Sequence, residues 1–152
     1  MARKQILISL GSLVALVAAC GRDAPAKPAS TPSSATAEPA LASKAFYRVD
    51  GAPQAACASG ATCEARLRLT ALGDYHVNKE YPFKFVADPA AVAVDGVGQF
   101  ALDGEKQGTM TIKFRPTAPG TAKLVGTFKL SVCSAETCEI ESPKVELAIP
   151  VT

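Results

Sequence analysis

Tryptophan is absent from this 152-residue chain, and histidine occurs once, at position 76. Any Ser-His-Asp or Cys-His site would therefore have to use His76, which sits between Tyr75 and Val77 and reads as an ordinary strand residue. No phosphate-binding glycine loop, nucleophile elbow or calcium loop is present. Charge of a single sign is also lacking: 16 Lys+Arg stand against 14 Asp+Glu. From Ala45 onward there are 11 basic and 12 acidic residues. That balance does not indicate a basic nucleic-acid-binding surface, and no nucleic-acid partner is expected. A long apolar run is missing too. The longest stretch, residues 6–19, is short of the ~20 residues a membrane span needs and carries Ser9, Gly11 and Ser12. After Lys44 no window shows the 3.6-residue stripe of an amphipathic helix.

The apolar content is 48%, but 28 residues are alanine. Leu, Ile, Val and Phe number 35; eight lie in the first 19 residues and 26 from Ala45 onward. The latter set is enough for one modest core.

The N-terminus reads as an address. Arg3 and Lys4 precede the apolar run, which ends in Val17-Ala18-Ala19-Cys20. Basic n-region, short h-region and small residues describe a secretory signal peptide over 1–19. The ending resembles the lipobox of bacterial lipoproteins. That resemblance implies cleavage before Cys20, a diacylglycerol thioether on its sulfur and acylation of the new N-terminus. Two or three acyl chains, at ~0.8 kcal/mol per buried CH2, hold a protein on a membrane where one would not. The same resemblance implies the outer membrane, with the protein facing the periplasm, because Gly21 stands where the lipoproteins retained in the inner membrane carry Asp. Residues 20–44 follow with four prolines and one large aliphatic residue, Leu41. This composition describes an extended, semi-rigid tether.

From Ala45 to Thr152 the pattern has period two. Leu67 and Leu69 alternate with Arg66 and Arg68, and Phe83 and Phe85 flank Lys84. Phe100 and Leu102 flank Ala101, and Met110, Ile112 and Phe114 alternate with Thr111 and Lys113. Leu124, Phe128, Leu130 and Val132 share one phase; Lys123, Lys129 and Ser131 take the other. Val145, Leu147, Ile149 and Val151 close the series. Turn signals fall at Gly73-Asp74, Asp88-Pro89, Asp95-Gly96, Asp103-Gly104 and Pro119-Gly120. Seven or eight short strands in 45–152 predict an antiparallel β-sandwich of immunoglobulin-like size, with a small closed barrel as the alternative.

With Cys20 assigned to lipid, Cys57, Cys63, Cys133 and Cys138 remain. An even count in an exported domain implies disulfides, and neither cluster has the C-x2-C spacing of a zinc knuckle, so no metal and no cofactor are expected. Three connectivities are open. Entropy alone favours a long link, ~4.5 kcal/mol for a loop of some eighty residues against ~2 for six or seven. The tight spacing favours the local pairs Cys57–Cys63 and Cys133–Cys138, and so hints at a role beyond stapling. Cys133 falls on the solvent phase of its strand where the chain turns, which makes it the expected point of attack by a partner thiol. Glu136, Glu139 and Glu141 surround the pair and disfavour its thiolate.

Two segments resemble the N-terminal periplasmic domain of the thiol:disulfide interchange protein DsbD family. They are Gly73-Asp-Tyr-His-Val-Asn-Lys-Glu-Tyr-Pro-Phe-Lys-Phe85 and Phe128-Lys-Leu-Ser-Val-Cys-Ser-Ala-Glu-Thr-Cys138. The resemblance implies an immunoglobulin-like sandwich whose cysteine pair, here Cys133 and Cys138, passes electrons by disulfide exchange with a periplasmic thioredoxin-like protein. Cys57 and Cys63 have no counterpart in that pattern. Glu139-Ile-Glu-Ser departs from the aromatic or Leu and prolines that follow the family's second cysteine. Two functions remain open: a lipid-anchored exchange module, or a non-enzymatic binding or scaffolding sandwich stapled by two disulfides.

Overall fold

The structure, a computed structural model, describes residues 40–53 and 56–152. The signal peptide expected over 1–19, the lipidation residue Cys20 and the tether as far as residue 39 lie outside the described residues. Ten strands follow in chain order: β1 Ala40–Lys44, β2 Tyr47–Pro53, β3 Cys63–Ala71, β4 His76–Val77, β5 Lys84–Ala87, β6 Ala93–Leu102, β7 Gln107–Arg115, β8 Gly120–Cys133, β9 Cys138–Glu141 and β10 Lys144–Val151. Among the described residues there is no helix.

The strands form two antiparallel sheets. One has the order β1-β2-β3-β7-β6. The other is built around β8, which carries β10 and then β9 along one edge and β5 and then β4 along the other. The inner faces meet in a single core. Val49, Leu67, Leu69, Met110, Ile112 and Phe114 come from the first sheet, and Phe85, Leu124, Phe128, Leu130, Val132 and Ile149 from the second. Strict alternation in β3, β7 and β10 sends Leu67, Leu69, Met110, Ile112, Phe114 and Ile149 inward while Arg66, Arg68, Lys113 and Glu146 stay outside. Each large side chain so buried contributes roughly 1.5–3 kcal/mol. The arrangement is a two-layer sandwich.

Three details depart from the sequence expectations. The folded region includes Ala40–Lys44, ahead of the expected start at Ala45, because β1 pairs with β2 and Leu41 packs against the core. Leu41 is the one large aliphatic of the expected tether, and alternation places it over Gly51, where an added Cβ would lie 2.6 Å from its Cδ1. Asp95-Gly96 is not a turn but part of a bulge within β6, where the register shifts between Asp95 and Gln99. Gly98 in that bulge has φ 80°, and a Cβ there would meet Met110 Sδ at 2.5 Å. Leu102 shares Phe100's phase but is 45% exposed, because β6 ends where the first sheet's edge runs past the core. The aromatics Tyr75, Phe83 and Phe85 pack on the core, as their alternation suggests. Phe85 is fully buried, Phe83 stacks on Phe100 at 3.8 Å, and Tyr75 packs on Phe46.

The new boundary is testable. A soluble fragment starting at Lys44 or later loses β1 and the partly buried Leu41, and is expected to unfold about 1–3 kcal/mol more easily in urea than one starting at residue 38. Equal midpoints would show that β1 contributes nothing to the fold.

Candidate functional site

The two disulfides occupy opposite ends of the sandwich. Cys57 forms a parallel bridge to Val151, which pairs with Gly120 at the start of β8. Its bond to Cys63 at the head of β3 ties the end of the second sheet to the first. Cys133 ends the same β8, about 40 Å away at ~3.3 Å per residue, and is bonded to Cys138 across the β8–β9 hairpin.

The hairpin is closed by Ser134. Its N–H donates to Thr137 O at 2.8 Å, and its Oγ accepts from the N–H groups of Glu136 and Thr137, each at 3.2 Å. A serine at the first position of a turn does this because its short hydroxyl reaches the turn's own amides. The Ser134/Thr137 pair is hydrogen-bonded, so the next pair, Cys133/Cys138, is the narrow kind in which Cα atoms come closest; here they are 4.0 Å apart. The turn thus holds the two cysteines directly opposite each other.

Cys133 does not stand on a solvent face. It is 6% exposed, and Ser131, two residues earlier on the same phase, is fully buried. The alternation that points them away from the core is sound, but the outer face is covered there. Asn78 donates from its N–H to Ser131 O and from Nδ2 to Ser131 Oγ, and Cys138 lies directly across from Cys133. Cys138 is the exposed residue of the pair. The expectation that Cys133 meets a partner thiol is therefore corrected: Cys138 is the reachable one.

The carboxylates are also placed differently from expectation. Glu139 and Glu141 lie opposite Val132 and Leu130, whose side chains face the core, so they share the inner side of β9 while Cys138 and Ile140 take the outer. Glu141 bonds Lys44 Nζ at 2.5 Å, tying β9 to β1 of the other sheet. Glu136 lies exposed in the hairpin turn. Next to the disulfide Ile140 is 67% exposed.

His76, expected as an unremarkable strand residue, is opposite Cys133 on β8's other edge. A cleft of about 840 Å³ lies beside it, lined by Asp74, His76, Asn78, Lys79, Glu80, Leu102, Glu105 and Lys106. Of the residues that build this end, Ser134 carried a readable turn signal. Asn78, Ser131 and Lys44 carried none, because their roles depend on pairings far apart in the chain. No protein-family model matches the chain, and comparisons with curated proteins and with solved structures return no match.

The Lys44–Glu141 tie makes a pH prediction. The hydrogen bond to Glu141 raises the Lys44 ammonium above its ordinary range, and burial raises the Tyr47 phenol beside it. Both folded-state values exceed the unfolded ones. Their contribution is whole below about pH 10 and is lost as pH rises through the folded values. Urea midpoints of the wild type should therefore fall between pH 10 and 12, and Lys44→Met with Tyr47→Phe should flatten that limb. An unchanged alkaline slope would show that these groups do not couple to folding.

Proposed function

We propose that the protein is a lipid-anchored lipoprotein of the cell envelope, held by acyl chains on Cys20 at the outer membrane and facing the periplasm, whose immunoglobulin-like sandwich exchanges thiols and disulfides through Cys133 and Cys138. The observation that carries this reading is the asymmetry of the hairpin pair. Cys138 is exposed and Cys133 is buried directly opposite it. Exchange requires one sulfur to be attacked and the other to leave, and this arrangement offers the two roles to different residues. The resemblance to the N-terminal domain of the DsbD family supports the same assignment.

The chemistry follows from access. A thiolate of a reduced thioredoxin-like partner attacks Cys138 Sγ; a partner–Cys138 bond forms, the Cys138–Cys133 bond breaks, and Cys133 leaves as a thiolate that takes up a proton. The partner's second thiol, giving up its own proton, then attacks the partner sulfur of the mixed disulfide and releases Cys138. Two electrons pass to this chain, whose disulfide becomes a dithiol, while the partner's dithiol becomes a disulfide. The reverse sequence oxidises this chain. Cys57–Cys63, with Cys57 buried and bonded to the C-terminal strand, is the structural member. A second reading, a non-enzymatic sandwich with two staples, draws on the same near-complete burial of Cys133.

Trapping distinguishes them. Cys133→Ala leaves the exposed thiol without its resolving partner and is expected to accumulate a mixed disulfide with a periplasmic thioredoxin-like protein on non-reducing gels. Cys138→Ala should yield little. Adducts from neither variant would leave only the stapled-sandwich reading.

A further inference from the structure

The β4–β8–β9 register brings three chemically active side chains into one row. His76 is the cross-strand partner of Cys133, and Cys133 is the partner of Cys138. The next residue of β4, Val77, is opposite Val132 and both are buried in the core. Alternation therefore places His76 on the other face, together with Cys133 and Cys138. Directly opposed residues have Cβ atoms about 4.5–5.5 Å apart, within reach of an imidazole and a thiol.

The two-residue strand is held on both sides. Asn78 N–H donates to Ser131 O and Val77 N–H to Glu105 O, while Lys106 Nζ donates to the carbonyls of Gly73 and Tyr75. His76 is consequently a fixed neighbour of Cys133, although it is itself exposed to the cleft. The charged groups around it are Asp74, Lys79 and Glu80 from its own segment and Glu105 and Lys106 from the β6–β7 turn. Glu136 sits at the tip of the β8–β9 hairpin, beyond Cys133 and Cys138.

Resting on the exchange reading above, we propose that His76 is the proton and charge partner of Cys133. When a dithiol partner's thiolate attacks Cys138, the electron pair of the broken bond goes to Cys133 Sγ, in a position almost cut off from water. Burial penalises a bare thiolate there. A protonated His76 holds that charge and gives its proton to the sulfur as the bond breaks. In the reverse direction neutral His76 takes the proton from the Cys133 thiol as it resolves the mixed disulfide, and no other acid or base is required. The row thereby divides the labour: Cys138 meets the partner, Cys133 stores the charge, and His76 manages its proton.

The test reads the thiolate itself. The full-length chain is reduced, and the rate at which iodoacetamide alkylates Cys133 is followed by peptide mass as a function of pH, with Cys57 and Cys63 as internal references. His76→Gln is expected to move the half-maximal pH for Cys133 upward by about one unit and leave Cys57 and Cys63 unmoved. His76→Lys, which keeps a cation in the row, should restore the wild-type position. A role in folding alone would move none of these selectively. An unshifted Cys133 in His76→Gln overturns the proposal, whatever the partner does. A shifted Cys133 with no trapped partner would instead uphold His76's action on Cys133 and remove the exchange reading.

Discussion

β8 is paired along one edge over residues 120–127 and 130–133 and along the other over 126–129 and 132–133, and every other part of the second sheet is registered on it. Its fourteen residues carry Leu124, Phe128, Leu130 and Val132 into the core and deliver Cys133 to the far end. Moving β8 by one residue would turn all four inward side chains outward and break both the His76 and the Cys138 pairings at once. The core therefore fixes the site. Burying those side chains sets the register, and the register aligns the sulfurs. Gly126 lets Phe85 lie across the middle of the strand, where a Cβ would meet its ring at 2.5 Å.

The remaining restraints act at the ends of this spine. The Cys57–Cys63 bond and the bridge from Cys57 to Val151 close the end where β8 begins. The Lys44–Glu141 pair joins the sheets at the end where it finishes. That exposed ion pair is a modest contributor in water. Its value is positional, because it fastens the strand that carries Cys138 and Ile140 to the edge of the opposite sheet.

Much of this was legible in the chain. Period-two alternation located the core faces of β3, β7, β8 and β10 residue by residue, because burial on one face of a strand leaves a direct imprint on polarity. What failed were inferences about the outer face. Ser131 and Cys133 share a phase with Lys123 and Lys129, and nothing local says that this phase is covered at one end and open at the other. Asn78, 53 residues from Ser131, supplies part of the cover. β1 was read as tether because Leu41 is a single apolar residue among alanines and prolines, and one side chain makes no pattern. The position of His76 beside Cys133 is likewise a matter of register between segments 57 residues apart. Polarity constrains what faces the core far more tightly than what faces a neighbour.

An exposed Cys138 opposite a buried Cys133, with His76 in the same row, is the arrangement on which the proposed exchange rests. The reduction potential of the pair tests this most directly. Equilibrating the full-length chain with dithiothreitol or glutathione redox buffers, and reading Cys133 and Cys138 by peptide mass, separates this pair from Cys57–Cys63. The account predicts a potential well above roughly −300 mV for Cys133–Cys138, with Cys57–Cys63 below it. A value below roughly −300 mV for both pairs would contradict it and leave two staples in a binding or scaffolding sandwich.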